Sequence, residues 1–158
     1  MEKSYYSSPI GNLEIVCKND ELVALKIVNQ SGMAQKENDF IRKIKCQLEE
    51  YFSGKRQKFD IKTEPQGTEF QKRVWAELQK IPYGKTKSYA EIAQDIGNAN
   101  AQRAVGSACN KNPVMIVIPC HRVVSKNGEL GGFAYGVSVK QKLLGIEHCA
   151  DDGLPLGV

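Results

Sequence analysis

The sequence predicts a mixed α/β (α+β) protein of two small units: an N-terminal β-meander with one helix, and a C-terminal helical unit containing a winged helix-turn-helix. Three observations carry this. Two polar turn signals, Pro9-Ile10-Gly11-Asn12 and Lys18-Asn19-Asp20-Glu21, cut residues 1–28 into alternating, β-branched segments. Apolar side chains recur at helical spacing over 36–52 and again over 68–80. A capping box, Ser88 with Glu91, and a stop at Gly97 bracket a short helix that a tight turn joins to another.

Each element follows from local chemistry. The three N-terminal segments form an antiparallel meander, since each turn signal lies between residues that alternate apolar and polar. From Lys36 to Phe52, the residues Phe40, Ile44, Leu48 and Phe52, joined by Ile41 and Tyr51, form one apolar face, and Gly54 ends the helix. The polar stretch "KRQKFDIKTEPQG" separates the units and divides the chain into 1–66 and 67–158. Thr68 or Gly67 caps a helix to Lys80 whose inner face is Phe70, Val74, Trp75 and Leu78, and Pro82 and Gly84 make "IPYGKTK" a loop. The helix over "NANAQRAVGSACN" is the recognition helix of the pair. Its side chains are small (Ala99, Ala101, Ala104, Gly106, Ser107, Ala108), which allows a backbone to approach something closely, and the groove of a DNA duplex is one such partner. An ordinary αα-hairpin is the competing reading. "VMIVIPCHRVV" reads as an extended buried run, Asn127-Gly128 as a hairpin turn opening a small wing, and "GVSVKQKLLGIEH" as a last short helix.

Composition narrows the class. At 158 residues and 41% hydrophobic content the chain supports a real core. Neither a membrane-length apolar run nor a signal segment opens it, so a cytoplasmic protein without membrane association is expected. Five scattered cysteines with no CxxC pair argue against a disulfide framework and against structural zinc, and no metal or cofactor is expected. Residues 68–148 hold 11 basic and 6 acidic residues, a net +5, against 11 and 10 over 1–67; Asp151 and Asp152 restore the total of +4. The excess in the second half suits a polyanion.

The segment "VIPCHRVV" carries the chemistry. It places one of two histidines, His121, directly after Cys120, and Cys120 directly after Pro119. A free thiol is only a few per cent ionised near neutral pH, so reaction needs a base or a positive neighbour. In an extended chain adjacent side chains point to opposite faces, so contact between the two needs a bend, which Pro119 favours. Glu147 is the acidic residue placed to orient the imidazole. An inert buried cysteine is the competing reading.

The stretches "GTEFQKRVWAELQKIPYGKTKSYAEIA", "QRAVGSACNKNPVMIVIPCHRVV" and "GGFAYGVSVKQKLLGIEH" resemble the O6-alkylguanine-DNA alkyltransferases almost without gaps from Gly67 to His148, with the PCHRV pentapeptide as the specific core. The resemblance implies a ribonuclease-H-like N-terminal unit. It also implies direct, irreversible, single-turnover alkyl transfer from O6-alkylguanine in double-stranded DNA, with O4-alkylthymine left open as a second substrate, by a cytoplasmic, nucleoid-associated monomer.

By the same resemblance Cys120 is the acceptor, His121 its water-linked base, and Glu147 the partner of that base. Tyr89 protonates the leaving purine, and Asn112 is the hinge before the active-site segment. Arg103 enters the duplex where the flipped base was. Ala101, Gln102, Ala104, Gly106, Ser107 and Arg122 face DNA. Tyr89, Val123, Phe133, Ala134 and Tyr135 line the substrate pocket: the backbones of Cys120 and Val123 read the guanine edge, and the Ala134 amide approaches its O6. Departures from the family pattern are Phe133 in place of a tyrosine, Gln102 in place of a small residue, and the absence of N-terminal histidines that hold zinc in some relatives.

Three other classes compete. A non-catalytic alkylated-DNA-binding module would lack the reactive cysteine. A transcription factor would carry base-reading side chains on its second helix. A cysteine hydrolase would turn over.

Overall fold

The computed structural model describes residues 1–29, 37–127 and 129–152, with no side chains beyond His148. The meander forms as expected: β1 (Glu2–Ser8), β2 (Gly11–Lys18) and β3 (Glu21–Val28) pair antiparallel in that order. Asn19 and Asp20 both adopt positive φ, 52° and 58°, the geometry of a tight hairpin turn that matches the twist of its strands. Helix α1 (Asp39–Phe52) begins at the Asn38 cap, whose side chain accepts from Ile41 N–H at 2.8 Å. The residues just before it, from the expected start at Lys36 back, lie outside those described. Ile41, Ile44, Leu48 and Tyr51 of α1 are buried.

Helix α2 (Glu69–Leu78) is capped by Thr68 in a reciprocal box with Gln71, and it ends two residues before the predicted Lys80 in a turn closed by Ile81 N–H to Leu78 O. The helix-turn-helix is α3 (Tyr89–Asp95) and α4 (Gln102–Asn110). The Ser88–Glu91 box opens α3. Gly97, at φ 84°, closes it: Gly97 N–H donates to Gln94 O and Asn98 N–H to Ala93 O. That double closure needs a left-handed residue, hence glycine. The indole N–H of buried Trp75 donates to Ala108 O at 2.9 Å and ties α2 to α4.

The expected extended run over 114–122 does not form. Asn112 holds both ends of a compact loop, accepting from Val114 N–H at 3.0 Å and donating to Ile118 O at 2.8 Å. Ile118 N–H closes on Val114 O, and Ile116 sits at φ 72°. That conformation is costly for a β-branched residue and is held by the burial of Val114, Met115, Ile116 and Ile118. Hydrophobic runs alone do not distinguish a buried strand from a buried loop. The run ends in a 3-10 turn, Cys120–Arg122, behind Pro119. Only β5 (Val123–Val124) is extended, and it pairs in parallel with β4 (Lys87–Ser88). The chain then reverses, with Ser125 N–H donating to Glu129 O at 2.8 Å; Gly128 of the predicted Asn127-Gly128 turn lies outside the described residues. Helix α5 (Val137–Asp152) completes the fold.

The two halves share backbone hydrogen bonds: Leu25 N–H donates to Pro113 O and Met115 N–H to Leu25 O, at 2.8 and 3.0 Å. Among the described residues no helix is long and apolar enough to cross a membrane.

Gly67 packs against the indole. A Cβ there would stand 2.5 Å from the Trp75 ring and 2.7 Å from Gln71 Oε1, which is held in the capping box. Neither neighbour can yield cheaply. Gly67→Ala therefore lowers stability by about 1–3 kcal/mol, the usual cost of overpacking, and urea denaturation measures it.

Candidate active site

The centre of the site is a buried carboxylate. Glu147 projects from α5 and is fully buried. Its Oε2 accepts from His121 Nε2 at 2.6 Å, Tyr51 Oη at 2.7 Å and Arg122 Nη2 at 3.1 Å. Its Oε1 accepts from Arg122 Nε at 2.8 Å and Gly84 N–H at 3.3 Å. Burial pushes the carboxyl up, but the hydrogen bonds and charges of His121 and Arg122 outweigh it and hold the group at about 2.

His121 is also fully buried, and that burial holds its pKa below the ordinary 6.5 despite Glu147. The ring is therefore neutral near pH 7. A carboxylate only accepts, so the proton sits on Nε2 and Nδ1 is the free basic nitrogen. Nδ1 is buried without a protein partner.

Cys120 stands one residue earlier on the same 3-10 turn. Burial pushes its thiol up to about 11, opposed by the Asn112 amide and the Lys140 ammonium. Tyr89, Cys109, Tyr135 and Lys140 lie near enough to the sulfur that a negative charge on it would raise the pKa of each. Tyr89, half-buried at the start of α3, is pushed up to about 12, chiefly by burial, so its hydroxyl keeps its proton. That hydroxyl lies 3.5 Å from Gly132 O.

The loop carrying Phe133, Ala134 and Tyr135 is held by one cation. Lys140 Nζ donates to Val123 O at 2.6 Å, to Gly132 O at 3.3 Å and to Leu130 O. The ring of Phe133 meets that of Tyr135 edge-on, 5.8 Å between centroids. Gly131, at φ 71°, leaves room for Tyr89: a Cβ would stand 3.3 Å from that ring. On α4 the residues Gln102, Arg103, Ala104 and Ser107 are exposed while Val105, Ala108 and Cys109 are buried. Gly106 packs beside the Tyr89 ring: a Cβ there would stand 3.9 Å from it.

The structure thus brings Cys120, His121, Glu147, Asn112, Tyr89, Val123 and Tyr135 together. It moves one expectation: Arg122, placed on the DNA side by sequence, is buried. Its guanidinium grips Glu147, donates through Nη1 to Ile81 O at 2.7 Å, and lies 5.7 Å from the Tyr83 ring centroid. A buried carboxylate needs a bidentate cation, and that need removes Arg122 from the surface. The Val123 carbonyl, expected to read a guanine edge, already accepts from Lys140.

Sequence reading missed Lys140 and the role of Tyr51. The signals were present. Lys140 shares its spacing with Leu143, Leu144 and Glu147 on one face of α5, and Tyr51 lies on the apolar face of α1.

A buried cysteine and a neutral histidine on one tight turn, with a helix-turn-helix whose second helix carries small residues, mark a class of DNA-binding protein. The chain belongs to the 6-O-methylguanine DNA methyltransferase family. Its residues 69–149 match that family's DNA-binding-domain model and residues 1–65 its ribonuclease-like-domain model. The methylated-DNA–protein-cysteine methyltransferase of Methanosarcina acetivorans is 47% identical over 156 residues, 93% of this chain and 98% of that one. The protein of the same name from Mycolicibacterium paratuberculosis is 44% identical over 147 residues, covering 89% and 88%. Mycobacterium tuberculosis OGT, solved in complex with DNA, superposes with a TM-score of 0.88 at 38% identity, covering 95% of this chain and 94% of that one.

The two buried groups set a pH dependence of stability. His121 is depressed below 6.5, and Glu147 lies at about 2 against an ordinary 4.5, so the unfolded chain binds protons at both before the folded one does. Stability is fully present above pH 6.5 and falls on acidification, first through His121, then below 4.5 through Glu147. The loss is roughly 1.4 kcal/mol for each unit of pKa difference. Urea midpoints measured from neutral pH downward should fall steadily; a flat profile through the histidine range would contradict a buried neutral His121.

Proposed function

We propose that the protein repairs DNA by irreversible transfer of the alkyl group from O6-alkylguanine in a duplex to Cys120, one group per molecule. The observation that carries the reading is the His121–Glu147 bond on the turn that also bears buried Cys120, which leaves a basic, unpartnered Nδ1 on the residue next to that thiol in the chain. The family membership supports it, and so do relatives named methylated-DNA–protein-cysteine methyltransferases.

The roles follow from chemistry. The target base is stacked inside the duplex and must be rotated out, at a cost of a few kcal/mol. Residues 67–158 perform this as a monomer: Arg103, exposed near the start of α4, fills the gap, while Ala101, Gln102, Ala104, Gly106 and Ser107 let the helix backbone approach the groove. The base enters between Tyr89 and the loop of Phe133, Ala134 and Tyr135. His121 Nδ1 takes the Cys120 proton, directly or through one water, and Glu147 stabilises the imidazolium. The thiolate attacks the alkyl carbon, a carbon–sulfur bond forms, the carbon–O6 bond breaks, and Tyr89 protonates the departing guanine. The Tyr89 phenolate is then reprotonated by the His121 imidazolium through solvent, so the net proton passes from Cys120 to guanine. Asn112 keeps the loop from deforming as the alkyl group arrives.

A thioether carries no good leaving group for water to displace, so the alkylated cysteine is not regenerated and the reaction is stoichiometric. A cysteine at position 120 disfavours the non-catalytic binding module, and the small residues of α4 disfavour the transcription factor. The place of action is the cytoplasm, on the chromosome.

Intact-mass analysis after incubation with O6-methylguanine duplex should show one methyl group, on Cys120, and no further turnover. Cys120→Ala should lose transfer entirely while keeping duplex affinity. Methyl transfer by that variant, or repeated turnover by the parent, refutes the assignment. Arg103→Ala should slow repair of duplex DNA by on the order of tenfold or more, roughly 1.4 kcal/mol of the few kcal/mol that unstacking costs. It should leave reaction with the free base O6-benzylguanine little changed. Equal losses on both substrates would place Arg103 in the chemistry rather than in opening the stack.

A further inference from the structure

Glu147 receives a donor from outside its own half of the chain. Tyr51, on α1 of the N-terminal unit, is fully buried and donates its hydroxyl to Glu147 Oε2 at 2.7 Å across 96 residues of sequence. The same oxygen takes the Nε2 proton of His121 at 2.6 Å, so the two donors share one acceptor. The ring is held edge-on by Phe52 and Tyr83, with centroids 5.4 and 6.3 Å away, and a core residue needs nothing more than that packing. The hydroxyl is therefore the informative part of the side chain.

We propose that Tyr51 is a positioning residue for the transfer chemistry, through which the N-terminal unit completes the acceptor set of Glu147 and tempers the base strength of His121. This rests on the alkyl-transfer reading above. The physical argument is one of shared charge. Every hydrogen bond to a carboxylate spreads its negative charge and lowers its pull on the others. With Tyr51 in place, Glu147 orients the imidazole and holds it in the tautomer with Nδ1 bare, without making the ring so basic that it stays protonated. Without the hydroxyl, the charge on Oε2 is answered more fully by His121, and the imidazolium is stabilised before any substrate arrives. A protonated His121 cannot accept the Cys120 proton.

Other charged and titratable groups face the pair. Arg122 binds both carboxylate oxygens from the 3-10 turn. Lys140 of α5 opposes protonation of His121. Tyr83, from the loop after α2, lies against Tyr51 and donates to Ile146 O at 3.3 Å. None of these is altered by removing one oxygen from Tyr51, so Tyr51→Phe isolates the shared hydrogen bond.

The test uses the full chain with 15N-labelled histidine. There are only two histidines, His121 and His148, so the imidazole signals are readily assigned. In the parent, His121 should appear near neutral pH as the neutral ring with its proton on Nε2. In Tyr51→Phe its titration midpoint should rise by about half a unit or more, the scale of one hydrogen bond to a charged partner. The acid limb of the rate of alkyl transfer against pH should move up by the same amount. The affinity for alkylated duplex should stay within about twofold, because Tyr51 is buried on α1, apart from the exposed face of α4. Replacing Tyr51 by 3,5-difluorotyrosine keeps the ring and strengthens the donor, so it should move both midpoints the other way. It also decides the matter if Tyr51→Phe does not fold. Equal midpoints in the parent and the variants would overturn the proposal and leave Tyr51 a packing residue. If the parent transfers no alkyl group, the functional reading fails, while the histidine titration still reports on the Tyr51–Glu147–His121 bond.

Discussion

One buried negative charge organises this protein. A carboxylate taken out of water is tolerated only when its lone pairs are met by donors, and Glu147 meets four donor residues from three separate stretches: Tyr51 of α1, Gly84 of the loop after α2, and His121 and Arg122 of the 3-10 turn. Removing any one leaves the others around an under-satisfied charge. The segments that carry them are therefore bound to a common geometry, although they are far apart in the chain. The backbone bonds between Leu25 and the 113–115 stretch also hold the same two halves together.

The reactive cysteine depends on that arrangement at one remove. The 112–122 segment spends backbone strain at Ile116 and uses the Asn112 side chain as an internal brace, and it delivers Cys120 and His121 onto one tight turn. The same apolar packing that holds the turn also raises the thiol to about 11. In the resting protein the sulfur is therefore protonated. In the alkyl-transfer reading proposed above, it ionises, with His121 as base, only when an electrophilic carbon reaches it. That couples reactivity to the presence of the right base, not to general exposure of a thiolate.

Lys140 links this chemistry to the pocket wall. It gathers three carbonyl oxygens from β5 and from the 130–132 stretch, and it also opposes the rise in the Cys120 pKa. A single buried cation thus holds the loop in place and biases the thiol, while Gly131 and Gly106 keep the Tyr89 ring free to lie between the loop and α4.

The sequence by itself determined what depends on neighbours along the chain. The meander, the capped helices, the Gly97 stop and the helix-turn-helix follow from turn chemistry and periodicity, and the side-by-side Cys120 and His121 made the nucleophile visible. Glu147 as partner to His121 was legible as the acidic residue placed to answer a histidine. The tertiary structure decided whatever depends on who satisfies whom. A run of apolar residues from Val114 to Ile118 has no periodicity that separates strand from loop, so only packing and the Asn112 brace settle it. Arg122, Lys140 and Tyr51 read as a surface cation, a helix charge and a core aromatic until the fold puts a buried carboxylate and a set of unpaired carbonyls within their reach. Burying a charge creates demands that are met across space, and no local pattern in the sequence records which distant side chain will meet them.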